Sequence, residues 1–297
     1  GLRIYNKTFL ERPFQYDISP TYSFLEKTVV GKASFRYRKY HGKSGLFVSN
    51  YVFAGSTSHF QVNSRYTTLT PAISFGWRPE NLISNRRQSL LLRYRSVFRN
   101  IDESIADQLD TDPDYGVLNL RFIDVDNDIL NYTSWFLDAQ HSSDFTKMAF
   151  ELEYRKLFES NRQFNFRLYA GKFLRNNTDS DFFSFALDRP TDYMFDLNYL
   201  GRSESSGLYS QQVIIAEGGF KSKLENPFAN DWIVTTNAST NIWRWIEAYG
   251  DLGFIRNKGE NARFVYDSGV RLNLVTDYFE LYFPVYSNRG WEIAERD

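Results

Sequence analysis

The sequence contains no cysteine, and this absence removes several kinds of chemistry at once. Without a thiol there is no disulfide, no thiolate metal site and no cysteine nucleophile, although the redox compartment is left undecided. Histidine is almost as scarce, because the only three are His41, His59 and His141, each in a different segment and in or beside a turn. Single histidines in such positions are typical of solvated loops rather than of zinc sites.

Long apolar runs are also missing. No stretch of about 18 apolar residues occurs, which excludes a membrane-spanning helix. The formal net charge is −1, so no broad electrostatic field favours nucleic acid or anionic lipid as a partner. The chain is instead rich in aromatic side chains, which make up 18% of its 297 residues and include 27 Phe and 20 Tyr. This composition suggests β structure with amphipathic surfaces.

The stretch KMAFELEYRKLF, residues 147–158, shows how these aromatic side chains are arranged. Its composition would suit a helix, and Glu151 and Arg155 stand at a helical ion-pair spacing. A helix would scatter the large side chains around its axis, whereas a strand places every second side chain on one face. The apolar positions are Met148, Phe150, Leu152 and Tyr154, and they alternate with Ala149, Glu151, Glu153 and Arg155. The stretch is therefore predicted to be a strand with one apolar and one charged face.

The same alternation recurs along the chain. It is found in GKASFRYRKY (31–40), TLTPAISFGW (68–77), SLLLRYRSVFR (89–99), QFNFRLYAG (163–171), WIEAYGDLGF (245–254) and RFVYDSGVRLNLV (263–275). These runs are about 9–13 residues long, whereas an average globular strand has about 5–6 and a tilted membrane-crossing strand needs about 9–11. Their length favours strands that cross a bilayer.

Turn signals rich in Gly, Asn, Pro or Ser separate the runs at residues 41–45, 78–81, 159–163 and 257–260. Longer polar loops are predicted at residues 100–116, 175–181, 200–207 and 221–231. Short turns on one side and longer loops on the other are typical of outer-membrane barrels. We predict a single all-β domain over residues 1–297, an antiparallel up-and-down transmembrane β-barrel of roughly 12–16 strands. Residues 1–25 are a lead-in segment or the first strand.

A soluble β-sandwich also alternates, with apolar residues inside and polar ones in water. A membrane barrel inverts this arrangement, and strand length together with both charge signs on the polar face favours the barrel. The side chains predicted to face lipid are Phe35, Tyr37, Phe75, Leu92, Tyr94, Met148, Phe150, Leu152, Tyr154, Phe164, Phe166, Leu168, Phe264 and Leu272. The charges predicted to line the lumen are Arg93, Arg95, Glu151, Glu153, Arg155, Arg167, Glu247, Asp251, Asp267 and Arg271. We expect them to pair across strands as a structural ladder; the alternative is a selectivity lining for anions.

Three stretches resemble a known family. They are SQQVIIAEGGFKSKLENPFANDW (210–232), NIWRWIEAYGDLGF (241–254) and FVYDSGVRLNLVTDYFELYFPVYSNRGWEI (264–293). They resemble the C-terminal barrel region of membrane-bound, gluzincin-type metallopeptidases of Bacteroidetes, which are similar to aminopeptidase N. The resemblance implies a location in the outer membrane of a Gram-negative bacterium and a zinc peptidase domain ahead of the barrel. The implied partners are outer-membrane lipid and the chain's own N-terminal domain or closing strand, with no nucleic acid.

The family's chemistry does not transfer to any residue of this chain. A gluzincin needs H-E-x-x-H on a helix, with two zinc ligands and a general base, and no histidine here is followed by Glu. No catalytic or cofactor-binding residue is therefore assigned, and zinc is expected only in the peptidase domain. The sequence begins at Gly1 without a start Met or signal peptide, so we expect a fragment of a longer protein. The family's closing strand is expected after Asp297, because a barrel without it exposes an edge.

Other chemical signals are weak. Asp124, Asp126 and Asp128 have the opening spacing of a calcium loop, but Ile129 and Trp135 stand where an EF-hand has Gly and Glu. A hairpin turn is the simpler interpretation of this stretch. The acidic residues 102–114 suit a solvated loop better than a cation site, and AEGGF (216–220) is interpreted as a glycine pair at a turn.

Three functions from different classes fit these patterns. The first is an outer-membrane barrel that anchors an N-terminal zinc metallopeptidase domain. The second is an outer-membrane transporter or pore with a charged lumen. The third is a soluble all-β ligand-binding protein, which the row of inward charges disfavours because a lipid-carrying cavity is lined by apolar side chains. A lumen filled by side chains or a plugging loop would favour anchoring, and an open lumen would favour transport.

Phe150→Arg tests the predicted orientation of the strand at residues 147–158. If Phe150 faces acyl chains near the middle of the membrane, the substitution should cost about 2–4 kcal/mol in a lipid-folding assay. The matched control is Glu151→Gln on the opposite face, whose effect should be much milder because we expect its partner to be partly hydrated. Unchanged stability of the Phe150→Arg variant would count against this orientation.

Overall fold

The computed structural model describes residues 2–24, 27–42, 45–61, 64–81, 83–100, 114–178, 180–197, 214–275 and 279–293. Strands make up most of this structure, and one 3-10 turn spans Asp181–Phe183. The strands are β1 (Ile4–Tyr5), β2 (Phe14–Ser23), β3 (Thr28–Tyr40), β4 (Gly45–Gln61), β5 (Ser64–Arg78), β6 (Arg86–Asn100), β7 (Tyr115–Asn127), β8 (Asn131–His141), β9 (Phe145–Leu157), β10 (Gln163–Asn176), β11 (Phe185–Ala186), β12 (Phe228–Ala229), β13 (Trp232–Trp243), β14 (Ile246–Arg256), β15 (Arg263–Val275), β16 (Phe279–Ser287) and β17 (Gly290–Trp291).

Fifteen of these strands form one sheet. Each strand lies beside the next strand in the sequence, except that β10 lies beside β13. The order is β1 to β10 followed by β13 to β17, and β11 and β12 form a separate two-stranded sheet. The prediction of an all-β, antiparallel, up-and-down fold is confirmed. In the described residues no pair joins the two ends of the sheet, so closure into a barrel stays a prediction.

The turns lie where the sequence predicts them. The stretch around residues 159–163 joins β9 to β10, and the stretch at residues 257–260 joins β14 to β15. Asn161 and Gly259 adopt positive φ values of 57° and 79°, which explains why Asn and Gly occupy these tight connections. Several strands are longer than the predicted runs, and β4 reaches 17 residues. The predicted loops at residues 100–116 and 200–207 lie largely or wholly outside the described residues.

The chain divides into two compact units, the first containing residues 1–124 and 138–146 and the second residues 125–137 and 147–297. In the first unit, ion pairs of 2.6 Å join Arg86 to Asp124 and Arg121 to Asp138. The buried side chains of this unit include Val97, Val117 and Phe145. In the second unit the largest fully buried side chains include Phe185, Leu187, Phe220, Ile233 and Ile255. The prediction of a single domain over residues 1–297 stays a prediction.

Candidate functional site

The second unit buries charged side chains and exposes apolar ones. On β14 and β15, Glu247, Asp251 and Asp267 are 0%, 0% and 1% exposed, whereas Leu252 and Phe254 are 51% and 52% exposed. The strand register explains the pattern, because Asp251 pairs with Asp267 across the two strands and Glu247 pairs with Arg271. Side chains alternate between the faces of a strand, so one face gathers carboxylates while the other gathers Leu and Phe. We call these the polar face and the apolar face.

A segment between β10 and β13 packs against the polar face. We define the insert as the described parts of this segment, residues 180–197 and 214–229. Its backbone is held by the β11–β12 pair and by two hydrogen bonds of 2.8 Å, from the Leu187 N–H to the Pro227 carbonyl and from the Gly218 N–H to the Ala186 carbonyl. Most residues at positions 183–188 and 216–224 are buried. The run FFSFAL (182–187) contributes to the 3-10 turn at Asp181–Phe183 and forms the short strand β11.

Two glycines allow the insert to approach the sheet closely. Gly219 has φ +78°, and a Cβ atom there would lie 2.5 Å from the Asn237 side chain on β13. Gly171 on β10 lies under the Phe185 ring, and its Cβ would lie 2.7 Å from that ring. Neither position can take a larger residue without movement of the insert or the sheet. The glycine pair in AEGGF, interpreted from sequence as a turn only, is therefore part of the contact between the insert and the sheet.

Lys147 on β9 holds one end of the insert. Its ammonium donates a hydrogen bond of 2.7 Å to the Phe183 carbonyl, and the side chain is buried. The ammonium also lies 4.6 Å from the centroid of the Phe185 ring and 4.8 Å from that of Tyr193, both in the insert. The ring of Phe173 on β10 is 5.3 Å away. Aromatic faces attract a desolvated ammonium, so Lys147 ties the sheet to the insert.

Lys221 makes the reciprocal contact from the insert to the sheet. Its ammonium lies 2.8 Å from the Asp251 carboxylate, whose other oxygen accepts a hydrogen bond of 2.9 Å from the Asn237 amide. The backbone N–H groups of Lys221 and Ser222 donate to one oxygen of Asp267, at 2.7 and 2.6 Å. Charge-assisted hydrogen bonds of this kind are stronger than neutral ones. The lysine thus fixes the insert to β14 and β15.

A ladder of ion pairs runs along the rest of the polar face. Arg167 on β10 pairs with Glu151 on β9, and Arg271 on β15 pairs with Glu247 on β14. Arg271 also lies 3.1 Å from Glu280 and donates to the Ser239 hydroxyl at 3.0 Å. Glu247 accepts a further hydrogen bond of 2.9 Å from the Asn273 amide. These contacts satisfy the buried charges by neighbours on adjacent strands.

The remaining predicted lumen residues also have polar neighbours. In the first unit, Arg93 donates to Asn119 at 3.0 Å and Arg95 to the Thr68 hydroxyl at 3.5 Å. In the second, Arg155 donates to Asn165 at 3.2 Å and borders, with Glu153, a cavity of about 170 Å³. The structure brings six of the predicted charges together in pairs, Glu151 with Arg167, Glu247 with Arg271 and Asp251 with Asp267. Their assignment to a lumen stays a prediction.

The predicted lipid-facing residues divide by exposure. The exposed side chains are Phe35, Tyr37, Leu92, Tyr94, Met148 and Phe264. The half-buried side chains are Phe75, Phe150, Leu152, Tyr154, Phe164, Phe166, Leu168 and Leu272. None of the fourteen is fully buried. Contact with lipid stays a prediction for all of them.

Two carboxyl groups outside the long strands have shifted pKa values. Burial raises the pKa of Asp188 in the insert, against the opposing effect of the hydrogen bond that it accepts from the Leu224 N–H at 2.9 Å. At Asp231, just before β13, burial acts in the same upward direction, but hydrogen bonds from Lys172 and Arg256 outweigh it and lower the pKa. Asp231 therefore stays ionised as a brace between β10 and β14, while Asp188 destabilises the insert slightly when it is ionised.

The three aspartates of the calcium candidate are not grouped as ligands. Asp124 is buried and accepts hydrogen bonds from Arg86 at 2.6 Å and from Gln88 at 2.8 Å. Asp126 and Asp128 are exposed, and Asp128 begins the predicted turn after β7. In the part of the chain that the structure describes, no three His, Asp or Glu side chains are placed to hold a metal ion.

The histidines likewise make ordinary polar contacts. His41 lies 2.8 Å from the Ser49 hydroxyl and His141 lies 2.8 Å from the Thr146 hydroxyl. The side chain of His59 lies outside the described residues.

Over the described residues, no helix has the length and apolar character needed to cross a membrane. No family model matches the chain, and no curated protein matches it either. The resemblance to the peptidase family stays a prediction.

Arg271→Met tests whether the ion-pair ladder stabilises the second unit. The substitution leaves Glu247 buried without its cation, which should lower the free energy of unfolding by about 3–5 kcal/mol. Urea unfolding in detergent micelles measures the change. The matched control is the double variant Glu247→Gln/Arg271→Met, which removes Glu247's charge together with its cation and should recover part of the loss, because Glu280 still lacks Arg271. An Arg271→Met variant as stable as the wild type would contradict a structural role for the ladder.

Proposed function

We propose that this chain is an outer-membrane β-barrel that anchors an N-terminal zinc metallopeptidase domain at the cell envelope. The observation that carries the proposal is the inverted burial of the second unit, with carboxylates covered and Leu and Phe side chains exposed. A soluble protein would leave that apolar face in water, and contiguous apolar patches of this kind are uncommon on soluble monomers. Hydrocarbon is the environment in which the face is stable, and the strands of 11–14 residues from β8 to β10 are long enough to cross a bilayer.

Anchoring is favoured over transport because the insert covers part of the polar face of the second unit. The insert covers it through Lys147, Lys221 and packed aromatic rings, and the ion-pair ladder occupies the adjoining strands. A conducting pore needs a continuous wet path along its axis, whereas these side chains bind one another. In the barrel that we propose, the sheet closes and the polar face becomes an interior plugged by the chain's own residues.

The peptidase part of the proposal rests on the resemblance alone. In the proposed protein the zinc ligands and the general base belong to the preceding domain, and the barrel holds that domain at the membrane. No residue of this chain is assigned a role in the reaction. The support for an outer-membrane location is the β-rich fold with its exposed apolar strands.

A flotation experiment combined with conductance recording tests the proposal. The purified chain is refolded with lipid vesicles and centrifuged in a density gradient, where we expect it to float with the lipid because its apolar face enters hydrocarbon. In planar bilayers the same sample should give no stepwise conductance, and a porin serves as the positive control. For the anchoring role, the full-length protein should carry chelator-sensitive aminopeptidase activity that floats with the vesicles.

Each part of the experiment has its own contradicting result. A chain that folds and stays in the aqueous fraction would contradict the membrane location and support the soluble alternative. Regular conductance steps would contradict a plugged anchor and support the transporter. Full-length protein that floats without any aminopeptidase activity would contradict the peptidase part and leave the membrane barrel supported.

A further inference from the structure

Two buried carboxylates face each other at the centre of the contact between the insert and the sheet. Asp251 on β14 and Asp267 on β15 are cross-strand partners, and their exposures are 0% and 1%. Asp251 is satisfied by Lys221 and Asn237, whereas Asp267 uses a single oxygen to accept both backbone N–H groups of the insert. The other oxygen, Oδ1 of Asp267, is buried and receives no hydrogen bond from the described residues.

Two unpartnered hydroxyl groups belong to residues beside this pair. The Tyr249 hydroxyl on β14 is buried, has no hydrogen-bond partner among the described residues and leans over Gly269, two residues from Asp267 on the same face. The Ser222 hydroxyl is also buried and unpartnered, and its own backbone N–H is 2.6 Å from Asp267. Tyr249 and Ser222 are 6% and 1% exposed, so bulk water does not reach these groups freely. Hydroxyl and carboxylate oxygens are the ligands that a hard cation prefers.

The charges around the pair do not balance. Two carboxylates face the single ammonium of Lys221, whose side chain also lies over the rings of Tyr249 and Tyr282. The next cation along β15 is Arg271, which is engaged by Glu247 and Glu280. Glu292, beyond β17, adds a further carboxylate within electrostatic range of the Tyr249 hydroxyl, and Asn237 on β13 contributes no charge. An unpaired buried carboxylate is costly, so the site favours the uptake of one positive charge.

We propose that Asp251 and Asp267 form a monovalent cation site that takes one positive charge, either a proton or a sodium-sized ion, and that this charge secures the insert. The cation neutralises the second carboxylate and leaves Asp267 able to accept the two backbone N–H groups of Lys221 and Ser222. For a bound ion, the ligands that we propose are the unpartnered oxygens of Asp267, Tyr249 and Ser222, and Asp251 contributes its charge. The site goes beyond the anchoring function and does not depend on it, because a pore or a soluble protein with this contact would bind the same cation.

The test measures the thermal unfolding midpoint of the purified chain in detergent micelles. Sodium chloride is exchanged for N-methylglucamine chloride at constant ionic strength, and each series is repeated between pH 6 and 9, where ordinary carboxyl groups are ionised. If a sodium ion binds, each tenfold rise in its concentration above the dissociation constant should raise the midpoint by about 3 °C. If a proton binds, the midpoint should instead fall as the pH rises, with no response to sodium.

Variants assign the response to the site. Asp267→Asn keeps an oxygen for the two backbone N–H groups but removes one charge, so its midpoint should respond to neither sodium nor pH in this range. Asp251→Asn provides a second test of the same expectation. The matched control is Glu151→Gln, a carboxylate that already has its own cation in Arg167, and it should respond as the wild type does.

Two outcomes overturn the proposal. A wild-type midpoint that responds to neither sodium nor pH shows that no further cation secures the insert. A response that persists unchanged in both Asp267→Asn and Asp251→Asn places the binding group elsewhere. If the chain fails to float with lipid but its midpoint responds to sodium or pH and Asp267→Asn loses that response, the membrane anchor is contradicted and the cation site is supported.

Discussion

Successive side chains of a strand point to opposite faces of the sheet, and this constraint determines the rest of the second unit. Once Leu252, Phe254 and Phe264 occupy the exposed face, Asp251, Gly253 and Val265 must occupy the other. The polar face therefore receives carboxylates from several neighbouring strands, and each needs a cation or a donor at short range. Arg271 and Arg167 supply cations from within the sheet, while Lys221 supplies one from the insert. Ion pairs within the sheet and contacts with the insert thus both supply the partners that the buried carboxylates need.

The insert also covers part of the polar face. It brings Phe185 close to Gly171 and Phe220 close to Gly253. A side chain at either glycine would collide with its neighbours in the insert or the sheet. Lys147 reaches from the sheet into the insert, and Lys221 reaches from the insert into the sheet. Contacts in both directions hold the segment at two separate places. A face covered in part by the chain's own residues is better suited to a structural anchor than to a conducting path.

The alternating strands and their turns could be predicted from the sequence, because period-two alternation and Gly or Asn at turns are local signals. Met148 and Glu151 were placed on opposite faces of the same strand on this basis alone. The insert could not be predicted in the same way, because FFSFAL and AEGGF acquire their structure from contacts with β9, β10 and β13 that are distant in sequence. The contact of Lys147 with the insert could not be predicted either, although the alternation places this residue on the same face as Glu151. The partners of each charge depend on register, and between β10 and β13 no short turn fixes the register because the two strands are far apart in the sequence.

The central claim is that the exposed apolar face of the sheet lies in hydrocarbon. Because the chain has no cysteine, a single cysteine can be introduced and spin-labelled at one position at a time. Oxygen accessibility in lipid bilayers, measured by electron paramagnetic resonance, then reports which side chains reach the acyl chains. The account predicts high accessibility at Leu252, Phe254 and Phe264 and low accessibility at Ile255 and Val265. Equal accessibility along the strands, or the opposite alternation, would contradict it.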